Sequence, residues 1–465
     1  MAQVLDRPLS ESIEDLRKSL RGKAFLPGED GFDQAVAGWN LLVQHQPAAI
    51  ISVADEGDAQ TALRFADQNG LPVAVQATGH GQFRTCVGGL LLDVSALNRV
   101  EVCPETKTAK VGGGTQWGQV IEAAGQYELL PISGSAPHVG VVGYTLGGGY
   151  GILSRRYGLG VDQVLSLRLI NAQGEALALS PNENSEIFWA ILGGGGAFGV
   201  VTEIEIQLHD QPEILGGSVM FDASLADVVY PAYLRFTKQA PEEVTSALTM
   251  MTFPPVPFIP ELLHGRSMLI FSATAIGELA EAEALLAPMR SLDGAEFDAF
   301  RPMTYADTHE VFSDPIEPLP ATCRGVLVKD LDEDSLAKAL AEVGPAPESP
   351  NLLFRIRHYG GAVTRGGEHE TAVGRQRQAN YLMYFLGVPM GASSIEQMHA
   401  QAERVFGAIH SRVLSRGPLN WLGEGNVTGD DVKQVFSAEE YMRQLAAKLL
   451  VDPNNRFRYA GVGLS

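Results

Sequence analysis

Two glycine-rich loops contain the residues that point to ligand chemistry. The first, residues 76–82 (QATGHGQ), places His80 between two glycines, and the second, residues 131–151, has seven glycines in twenty-one residues and almost no charge. Glycine lets main-chain N–H groups approach a ligand closely, and consecutive inward-turned amides form a concavity that binds phosphates. Two such loops predict a ligand with a diphosphate in its middle, and His80 indicates a further chemical role.

The elements that hold these loops predict an α+β domain. A strand at 47–53, a helix at 55–69 and a strand at 71–75 form a β-α-β unit that ends at the histidine loop. The stretch 131–151 lacks a 3.6-residue apolar face, so we expect no amphipathic helix in it. The other elements predicted before residue 210 are a capped helix at 10–23 with Ser10 as N-cap, strands at 90–94, 99–102, 108–111, 164–170, 176–179 and 200–208, and helices at 115–127 and 185–192.

The composition changes at about residue 210, where glycine becomes less frequent. Strand-like and helix-like segments then alternate, which predicts a second domain with an antiparallel sheet flanked by helices. We expect domains at 1–210, with a core at about 43–210, and at 211–415, followed by a C-terminal segment at 416–465. The predicted elements are strands at 217–221, 244–253, 267–274, 351–358 and 381–385, and helices at 279–289, 334–341, 395–412 and 438–451.

The net charge and the cysteines exclude several classes of partner. The chain has 34 basic and 55 acidic residues, a formal charge of −21, and no basic run, so neither nucleic acid nor an anionic membrane is an expected partner. The first twenty residues lack an apolar core, and no run of 18 apolar residues exists. The three cysteines have no motif spacing and are expected to be reduced thiols of a cytoplasmic protein, with no metal site.

One stretch matches a dinucleotide-binding motif but lacks the structural context that the motif requires. Residues 194–199 (GGGAFG) satisfy G-x-G-x-x-G, but that fingerprint requires a strand before it and a helix after it. A predicted helix precedes this loop and an alternating strand follows it, so we reject nicotinamide-dinucleotide binding there. The chain also lacks G-x-x-x-x-G-K-S/T, which leaves an ATPase interpretation without support.

Nearly the whole chain resembles the berberine-bridge-enzyme-like (BBE-like) FAD-linked oxidases of the vanillyl-alcohol-oxidase superfamily. Each motif is weak alone, but their order and spacing match the family. The matching motifs are Thr78-Gly79-His80, residues 139–143 (VGVVG), 146–151 (LGGGYG), 157–162 (YGLGVD), 187–190 (IFWA), 194–202 (GGGAFGVVT), Asn420-Trp421 and 452–457 (DPNNRF).

The resemblance implies a two-lobed PCMH-type FAD-binding domain, built from residues 1–210 and the returning segment 416–465, with 211–415 covering the flavin ring as the substrate domain. It implies a covalent bond from His80 to the flavin 8α-methyl group. Many members add a cysteine, which is replaced here by Ala136, so a singly linked FAD without a cysteinyl bond is expected. The cofactor-binding residues carried over are Ala77, Thr78, Gly79, His80, Gly81, Gln82, Gly134, Val139, Gly140, Gly143, Tyr144, Gly147, Gly148, Tyr150, Gly151, Gly199, Val201 and Asn420.

The chemistry that the resemblance implies is hydride transfer from a substrate C–H bond to flavin N5, with O2 as the acceptor. Gly134 stands where the family controls oxygen access, which favours an oxidase over a dehydrogenase. We expect an alcohol or related group of a small secondary metabolite as substrate. The alternatives are a carbohydrate oxidase or dehydrogenase, a flavin-binding protein without turnover, and an NADPH-using reductase of the same fold. The oligomeric state is not predicted.

The catalytic base is not fixed by the family pattern, because Pro418 stands where several members have a tyrosine. The candidates are Tyr359, His358, Tyr381, Tyr144 and Tyr150, with Trp421 as a stacking wall. Asp307 and His309 are either an acid–base pair or part of a helix start, and Arg375 is expected to serve structure. No cluster of lysine or arginine in the second domain points to an acidic substrate.

Overall fold

The structure is a computed structural model that describes residues 8–257, 259–344, 348–389, 393–424 and 427–463. The strands are β1 (Lys23–Phe25), β2 (Ala49–Ser52), β3 (Val73–Gln76), β4 (Leu90–Asp93), β5 (Val100–Cys103), β6 (Thr108–Gly112), β7 (Leu129–Leu130), β8 (Val164–Ile170), β9 (Ala176–Leu179), β10 (Val200–Gln207), β11 (His209–Asp210), β12 (Ile214–Asp222), β13 (Val244–Thr252), β14 (Ser267–Ile276), β15 (Arg301–Met303), β16 (Thr322–Val328), β17 (Leu353–His358), β18 (Tyr381–Gly387) and β19 (Val413–Arg416).

The α-helices are α1 (Leu9–Arg17), α2 (Phe32–Val36), α3 (Glu56–Gln68), α4 (Trp117–Gly125), α5 (Val141–Leu146), α6 (Ser154–Tyr157), α7 (Ser185–Gly194), α8 (Ala226–Gln239), α9 (Leu279–Arg290), α10 (Glu333–Val343), α11 (Ala362–Arg365), α12 (Ile395–Ala408), α13 (Gly429–Lys433) and α14 (Ala438–Val451). Within the described ranges, no helix combines the length and the apolar character that a membrane crossing requires.

The first sheet carries the histidine loop. Its order is β1-β2-β4-β3, with β2 and β3 parallel to β4 and β1 antiparallel to β2. Helix α3 begins at Asp55, whose side chain accepts from the Asp58 N–H, and it buries an alanine- and leucine-rich face against the sheet. The predicted β-α-β unit is therefore present, and β3 ends directly before the loop that contains His80.

The second sheet lies under the glycine-rich stretch. Its order is β5-β6-β10-β8-β9, and all neighbouring strands are antiparallel. The stretch was expected to contain no amphipathic helix. A short helix, α5, forms within it and buries Val141, Thr145 and Leu146. Packing against α7 compensates for its weak local propensity. The sequence analysis did not predict this helix.

The N-terminal helix differs from its predicted bounds. Helix α1 begins after Pro8 and ends at Arg17, so Ser10 is not the N-cap and residues 23–25 form β1 instead. Proline suits a helix start because its fixed φ and its missing N–H cost nothing there. The predicted helix at 395–412 also ends earlier, at Ala408.

The third sheet has eight strands in the order β15-β12-β14-β13-β17-β18-β16-β19, again with antiparallel neighbours. One face packs on the helices α8, α9, α10 and α12. Successive side chains of a strand point to opposite faces, so Phe354 and Ile356 of β17 face these helices, while Leu353 faces the other half of the molecule.

The C-terminal segment returns to the first two sheets. Helix α14 packs on α7, and the buried ammonium group of Lys448 donates to the Ala197 carbonyl and to Asp452, each at 2.7 Å. The Asp452 carboxylate also accepts from the main-chain N–H groups of Arg456 and Phe457. The carbonyl of Arg456 then accepts from the Val73 N–H of β3. The last described residues thus complete the sheet that carries the histidine loop.

Candidate active site

His80 occupies a buried pocket of aromatic rings. Its imidazole stacks on Trp39, with ring centroids 4.5 Å apart, and lies 4.9 Å from the ring of His138. Nδ1 contacts the Thr78 hydroxyl at 2.9 Å, and Nε2 is buried without a partner among the described residues. Gly79 has φ +71°, and a Cβ there would lie 2.5 Å from the Cα of Gly38, so only glycine fits this turn.

The charge state of His80 follows from this pocket. Burial, and then the neighbouring His138, lower the pKa of His80 to about 3, so its imidazole is neutral at pH 7. In a neutral imidazole one nitrogen carries the proton. If the Nδ1–H group donates to Thr78, the lone pair lies on Nε2. This geometry presents a buried, unprotonated nitrogen nucleophile to a ligand in the adjoining space.

A cavity of about 310 Å³ adjoins the histidine loop and is polar in character. It is lined by Ala77, Thr78, Ser95, Asn98, Gly114, Gln116 and Gln119. Only Ala77 and Thr78 were expected from the sequence. The run Gly112-Gly113-Gly114 begins at the last residue of β6, and a Cβ at each of these glycines would lie 2.0–2.3 Å from a main-chain carbonyl oxygen, so packing of the protein requires them. Hydroxyl and amide side chains beside glycine suit the sugar and diphosphate of a nucleotide.

The glycines expected to bind the cofactor fall into two groups. A Cβ at Gly81 or Gly143 would meet nothing within 4 Å, so these two border open space. At four others a Cβ would instead collide with protein. The colliding pairs are Gly147 with Asn420 Oδ1 at 1.8 Å, Gly148 with Gln376 Nε2 at 2.6 Å, Gly151 with the Ser133 carbonyl at 1.9 Å, and Gly199 with the Ile170 carbonyl at 2.5 Å. The second group is therefore required by packing of the protein itself.

The remaining expected cofactor contacts lie between the two loops. A Cβ at Gly140 would lie 3.4 Å from the Thr78 hydroxyl, so the glycine stretch contacts the histidine loop there. A Cβ at Gly134 would lie 3.0 Å from the ring of Tyr144, within the glycine stretch itself. The other four positions form main-chain or side-chain bonds within the protein. The Val139 carbonyl accepts from Trp117, Gln82 donates to the Val75 carbonyl, Val201 pairs with Leu169, and Asn420 donates to the Tyr144 carbonyl.

A cluster of buried tyrosines connects the glycine stretch to the eight-stranded sheet. Tyr150 stacks on Tyr359, and its hydroxyl donates to the His358 carbonyl. The hydroxyls of Tyr144 and Tyr359 are buried without a partner among the described residues. Burial, chiefly, raises the pKa of each of these two phenols well above its usual value. Both are therefore protonated donors at neutral pH.

His358 and Tyr381 lie on the opposite face of the eight-stranded sheet from this cluster. They are directly opposed on β17 and β18, so they share one face. Nδ1 of His358 contacts the Arg155 guanidinium at 2.9 Å, and the Tyr381 hydroxyl bonds that of Thr237 on α8 at 2.8 Å. These two sequence-based candidates face the helix layer, whereas Tyr359 and Tyr144 remain with the unpaired hydroxyls.

Two arginines that the sequence analysis overlooked face the same side as Tyr359. Arg355 and Arg357 of β17 are 8% and 5% exposed. Each guanidinium carbon lies 4.9 Å from the centroid of the Phe312 ring, and that of Arg357 lies 5.2 Å from the Trp421 ring. The sequence analysis found no cluster of lysine or arginine that points to an acidic substrate, and the structure brings these two arginines together at the Phe312 ring. The alternation of side chains along residues 353–359 (LFRIRHY) could have shown that Arg355, Arg357 and Tyr359 share one face.

The other residues named from the sequence have structural partners. Asp307 accepts from the N–H and hydroxyl of Thr304 at the start of the 3-10 helix 305–311, which is the helix-start alternative. His309 Nδ1 contacts the Ala306 carbonyl of that helix. Arg375 donates to the Leu414 carbonyl at 3.1 Å. No group of three or more potential metal ligands occurs in the described ranges.

Comparisons with known proteins indicate an FAD-binding chain. Residues 47–180 match the family model described as an FAD binding domain. (R)-6-hydroxynicotine oxidase of Paenarthrobacter nicotinovorans is 26% identical over 453 residues, which cover 95% of this chain and 96% of that protein. Further relatives in Bacillus subtilis, Dictyostelium discoideum and Aspergillus terreus are named FAD-linked oxidoreductases.

Solved structures show the same fold. The crystal structure of 6-hydroxy-D-nicotine oxidase from Arthrobacter nicotinovorans aligns with a TM-score of 0.81 at 24% identity and covers 99% of this chain and 100% of that one. Glucooligosaccharide oxidase from Acremonium strictum, described with a 6-S-cysteinyl, 8α-N1-histidyl FAD, aligns with a TM-score of 0.83 at 20% identity, covering 98% of each chain.

The fold and the match of residues 47–180 define an FAD-binding protein whose relatives are FAD-linked oxidoreductases. Its relatives include proteins named FAD-linked oxidoreductases, and a BBE-like protein of Physcomitrella patens has a similar fold, in agreement with the sequence resemblance.

Proposed function

We propose that this protein is an oxidase whose FAD is bonded covalently through Nε2 of His80 and which oxidises an alcohol or related C–H/O–H group of a small molecule. The observation that supports the linkage is the buried Nε2 without a partner, in a neutral ring whose Nδ1 contacts Thr78. Residues 1–210 and 416–465 would form the FAD domain, and residues 211–415 the substrate domain.

The residues present fit a singly linked flavin. Ala136 and its neighbour Ser135 offer no thiol, and the three cysteines are free. Two of the cysteines, Cys86 and Cys323, are buried, and burial raises the pKa of Cys86 to about 11, so this thiol is unreactive at neutral pH. Free thiols also agree with an enzyme of the reducing cytoplasm.

The flavin would supply the hydride acceptor and would react with O2 when reduced. The chain would supply the geometry around it. The protonated hydroxyls of Tyr144 and Tyr359 have unused donors, so they would hold the substrate oxygen and orient the C–H bond beside it.

Acid-denatured protein, separated in SDS and viewed for flavin fluorescence, tests the linkage. The wild type should give a fluorescent band, and His80→Ala should give none. His138→Ala is the matched control, because its ring lies 4.9 Å from that of His80. It should keep the band. A fluorescent His80→Ala band, or a yellow native protein whose denatured band is dark, would disprove the covalent bond through His80.

A second set of measurements separates the alternative functions. Stopped-flow reduction of the flavin by alcohols typical of secondary metabolites, by oligosaccharides and by NADPH assigns the donor, and oxygen consumption then separates oxidase from dehydrogenase. We expect fast reduction by a small alcohol and fast reoxidation by O2. The carbohydrate alternative is supported only by the fold that this chain shares with the oligosaccharide oxidases. Absence of reduction by every donor would favour the flavin-binding protein without turnover.

A further inference from the structure

Arg355 and Arg357 form a positively charged patch on the sheet face that carries Tyr359. Both belong to β17 and are two residues apart, so their side chains leave the same face. Arg355 stands opposite Thr249 on one neighbouring strand and opposite Tyr384 on the other. The two guanidiniums share the ring of Phe312, which lies 4.9 Å from each.

The hydrogen-bond partners of this pair are uncharged hydroxyls. Arg355 donates to the hydroxyls of Thr249 at 2.6 Å and Tyr384 at 2.9 Å, and a hydroxyl carries no charge. Nε of Arg357 has no partner among the described residues. Burial of a guanidinium without an anion is costly, and two like charges on one strand add repulsion.

Lys448, a buried cation elsewhere in the described part, has a counter-ion, since it pairs with Asp452 at 2.7 Å. Near the arginine pair the acid is Asp314, which accepts from the Ser135 hydroxyl and acts on Arg357 only through its field. One carboxylate against two guanidiniums leaves a net positive charge.

Flat aromatic walls surround the same patch. The Arg357 guanidinium carbon lies 5.2 Å from the Trp421 ring, 5.9 Å from that of Tyr384 and 5.9 Å from that of Tyr150. The rings of Tyr384 and Trp421 are 4.3 Å apart. Aromatic faces hold flat apolar bodies, and a guanidinium binds a carboxylate through two parallel N–H···O bonds.

We infer that Arg355 and Arg357 bind a carboxylate of the substrate, so that the enzyme selects flat small molecules that carry this group. The inference rests on the proposed function, since it assigns the substrate class of that same site. The aromatic walls hold the body of the substrate, and the arginine pair sets its orientation. The overall charge of −21 repels anions, so this local patch is needed to bind one.

The binding of two isosteric probes, benzoate and benzamide, to the purified flavoprotein tests this inference. Titration calorimetry reads both affinities whether or not flavin is attached, and the flavin absorption spectrum reports whether the probe lies beside the ring. We expect benzoate to bind at least tenfold more tightly than benzamide. Equal affinities for the two probes on the wild type would overturn the inference.

Variants test whether the preference for benzoate depends on Arg355 and Arg357. Arg357→Gln should weaken benzoate at least tenfold and leave benzamide unchanged, and Arg355→Gln should do the same if Arg357→Gln does not fold. Arg365→Gln removes the same charge from an arginine that is 60% exposed and should behave as wild type. Arg357→Lys keeps the charge but loses the planar guanidinium, so its benzoate affinity should lie between those of the wild type and Arg357→Gln. A benzoate preference that survives both glutamine variants refutes the assignment.

In-gel flavin fluorescence of the same samples separates this inference from the proposed function. A fluorescent wild type without carboxylate preference refutes the arginine assignment alone. A dark band with a clear benzoate preference refutes the covalent linkage alone.

Discussion

The rings of Tyr150 and Tyr359 stack with their centroids 4.1 Å apart and their planes 7° apart. Tyr150 belongs to the glycine stretch, and Tyr359 follows β17 of the eight-stranded sheet. The Tyr150 hydroxyl also donates to the His358 carbonyl, so ring and hydroxyl together fix the sheet against the cofactor half. Tyr359, by contrast, has a hydroxyl without a partner among the described residues.

Tyr359→Phe should therefore separate activity from stability. The stack persists in this variant and no protein hydrogen bond is lost, so we expect the melting temperature to stay within about 2 °C of wild type. If the hydroxyl holds the substrate, the rate of flavin reduction should fall at least tenfold. Anaerobic stopped-flow with the best substrate of the panel measures this rate.

Tyr381→Phe is the control on the opposite face. It breaks the buried hydrogen bond to Thr237 and should cost about 1 kcal/mol of stability while leaving flavin reduction unchanged. A reduction rate that falls in Tyr381→Phe but not in Tyr359→Phe would reverse the assignment of the two faces.

The buried pair of Lys448 and Asp452 should dominate the attachment of the C-terminal segment. Its side chains are 3% and 0% exposed. Lys448→Met leaves Asp452 buried and unpaired, so the free energy of unfolding should fall by about 3–5 kcal/mol in urea titrations. Lys338→Met breaks an exposed lysine–aspartate pair of the same i,i+4 spacing and should cost at most about 0.5 kcal/mol. Similar losses in the two variants would contradict this ranking.

Glu424 should make stability depend on pH. Burial raises the pKa of its carboxyl from 4.5 to about 8, although the Cys323 N–H and Arg324 oppose this shift. The folded state therefore holds a proton that the unfolded chain releases above pH 4.5, and stability falls as pH rises from there through 8. Melting temperatures across this range should decline in wild type, and the decline should be shallower in Glu424→Gln.

Glu56 provides a control of opposite sign. The Arg168 guanidinium lowers the pKa of this carboxyl, so its stabilising contribution is present above pH 4.5 and is lost as pH falls. Glu56→Gln should therefore change the acid side of the profile and leave the range from pH 5 to 8 as in wild type. A slope between pH 5 and 8 that responds to Glu56→Gln and not to Glu424→Gln would exclude Glu424 as its source.

Two glycines of the same stretch should respond differently to alanine. Gly147→Ala places a Cβ 1.8 Å from Asn420 Oδ1 and should cost about 1–3 kcal/mol of stability. Gly143 lies in α5 with nothing within 4 Å, so Gly143→Ala should be neutral or slightly stabilising to the protein. If its open space belongs to the cofactor, the flavin-to-protein absorbance ratio should fall in Gly143→Ala. A full flavin complement there would place the cofactor elsewhere.

The elements around the histidine loop were predicted from local signals in the sequence. Strand β3, its glycine loop and His80 are adjacent in the sequence, so periodicity and glycine content sufficed to find them. Helix α5 was missed because it is stabilised by burial against α7, which its own sequence does not reveal. The lining of the cavity was missed in part because Ser95 and Asn98 reach it from a different loop.

The residues on the substrate side could not be predicted without the register between β17 and β18. His358 and Tyr359 are adjacent residues, so their side chains leave opposite faces of the sheet, and the sequence did not show which of them lies on the face of the glycine stretch. The pairing of His358 with Tyr381 places both on the helix face. That pairing decides at once for Tyr359 and for Arg355 and Arg357, which alternate with the apolar residues of β17.

The bond between Lys448 and the Ala197 carbonyl joins residues 251 positions apart. During translation the first two sheets are therefore made long before the helix that anchors them, and the whole eight-stranded sheet leaves the ribosome in between. Helix α14 and the Arg456 carbonyl must arrive before the histidine loop reaches its final support. If the proposed bond between His80 and the flavin forms, we expect it to form after synthesis of that sheet, and a ribosome-bound chain halted before Lys448 to be colourless.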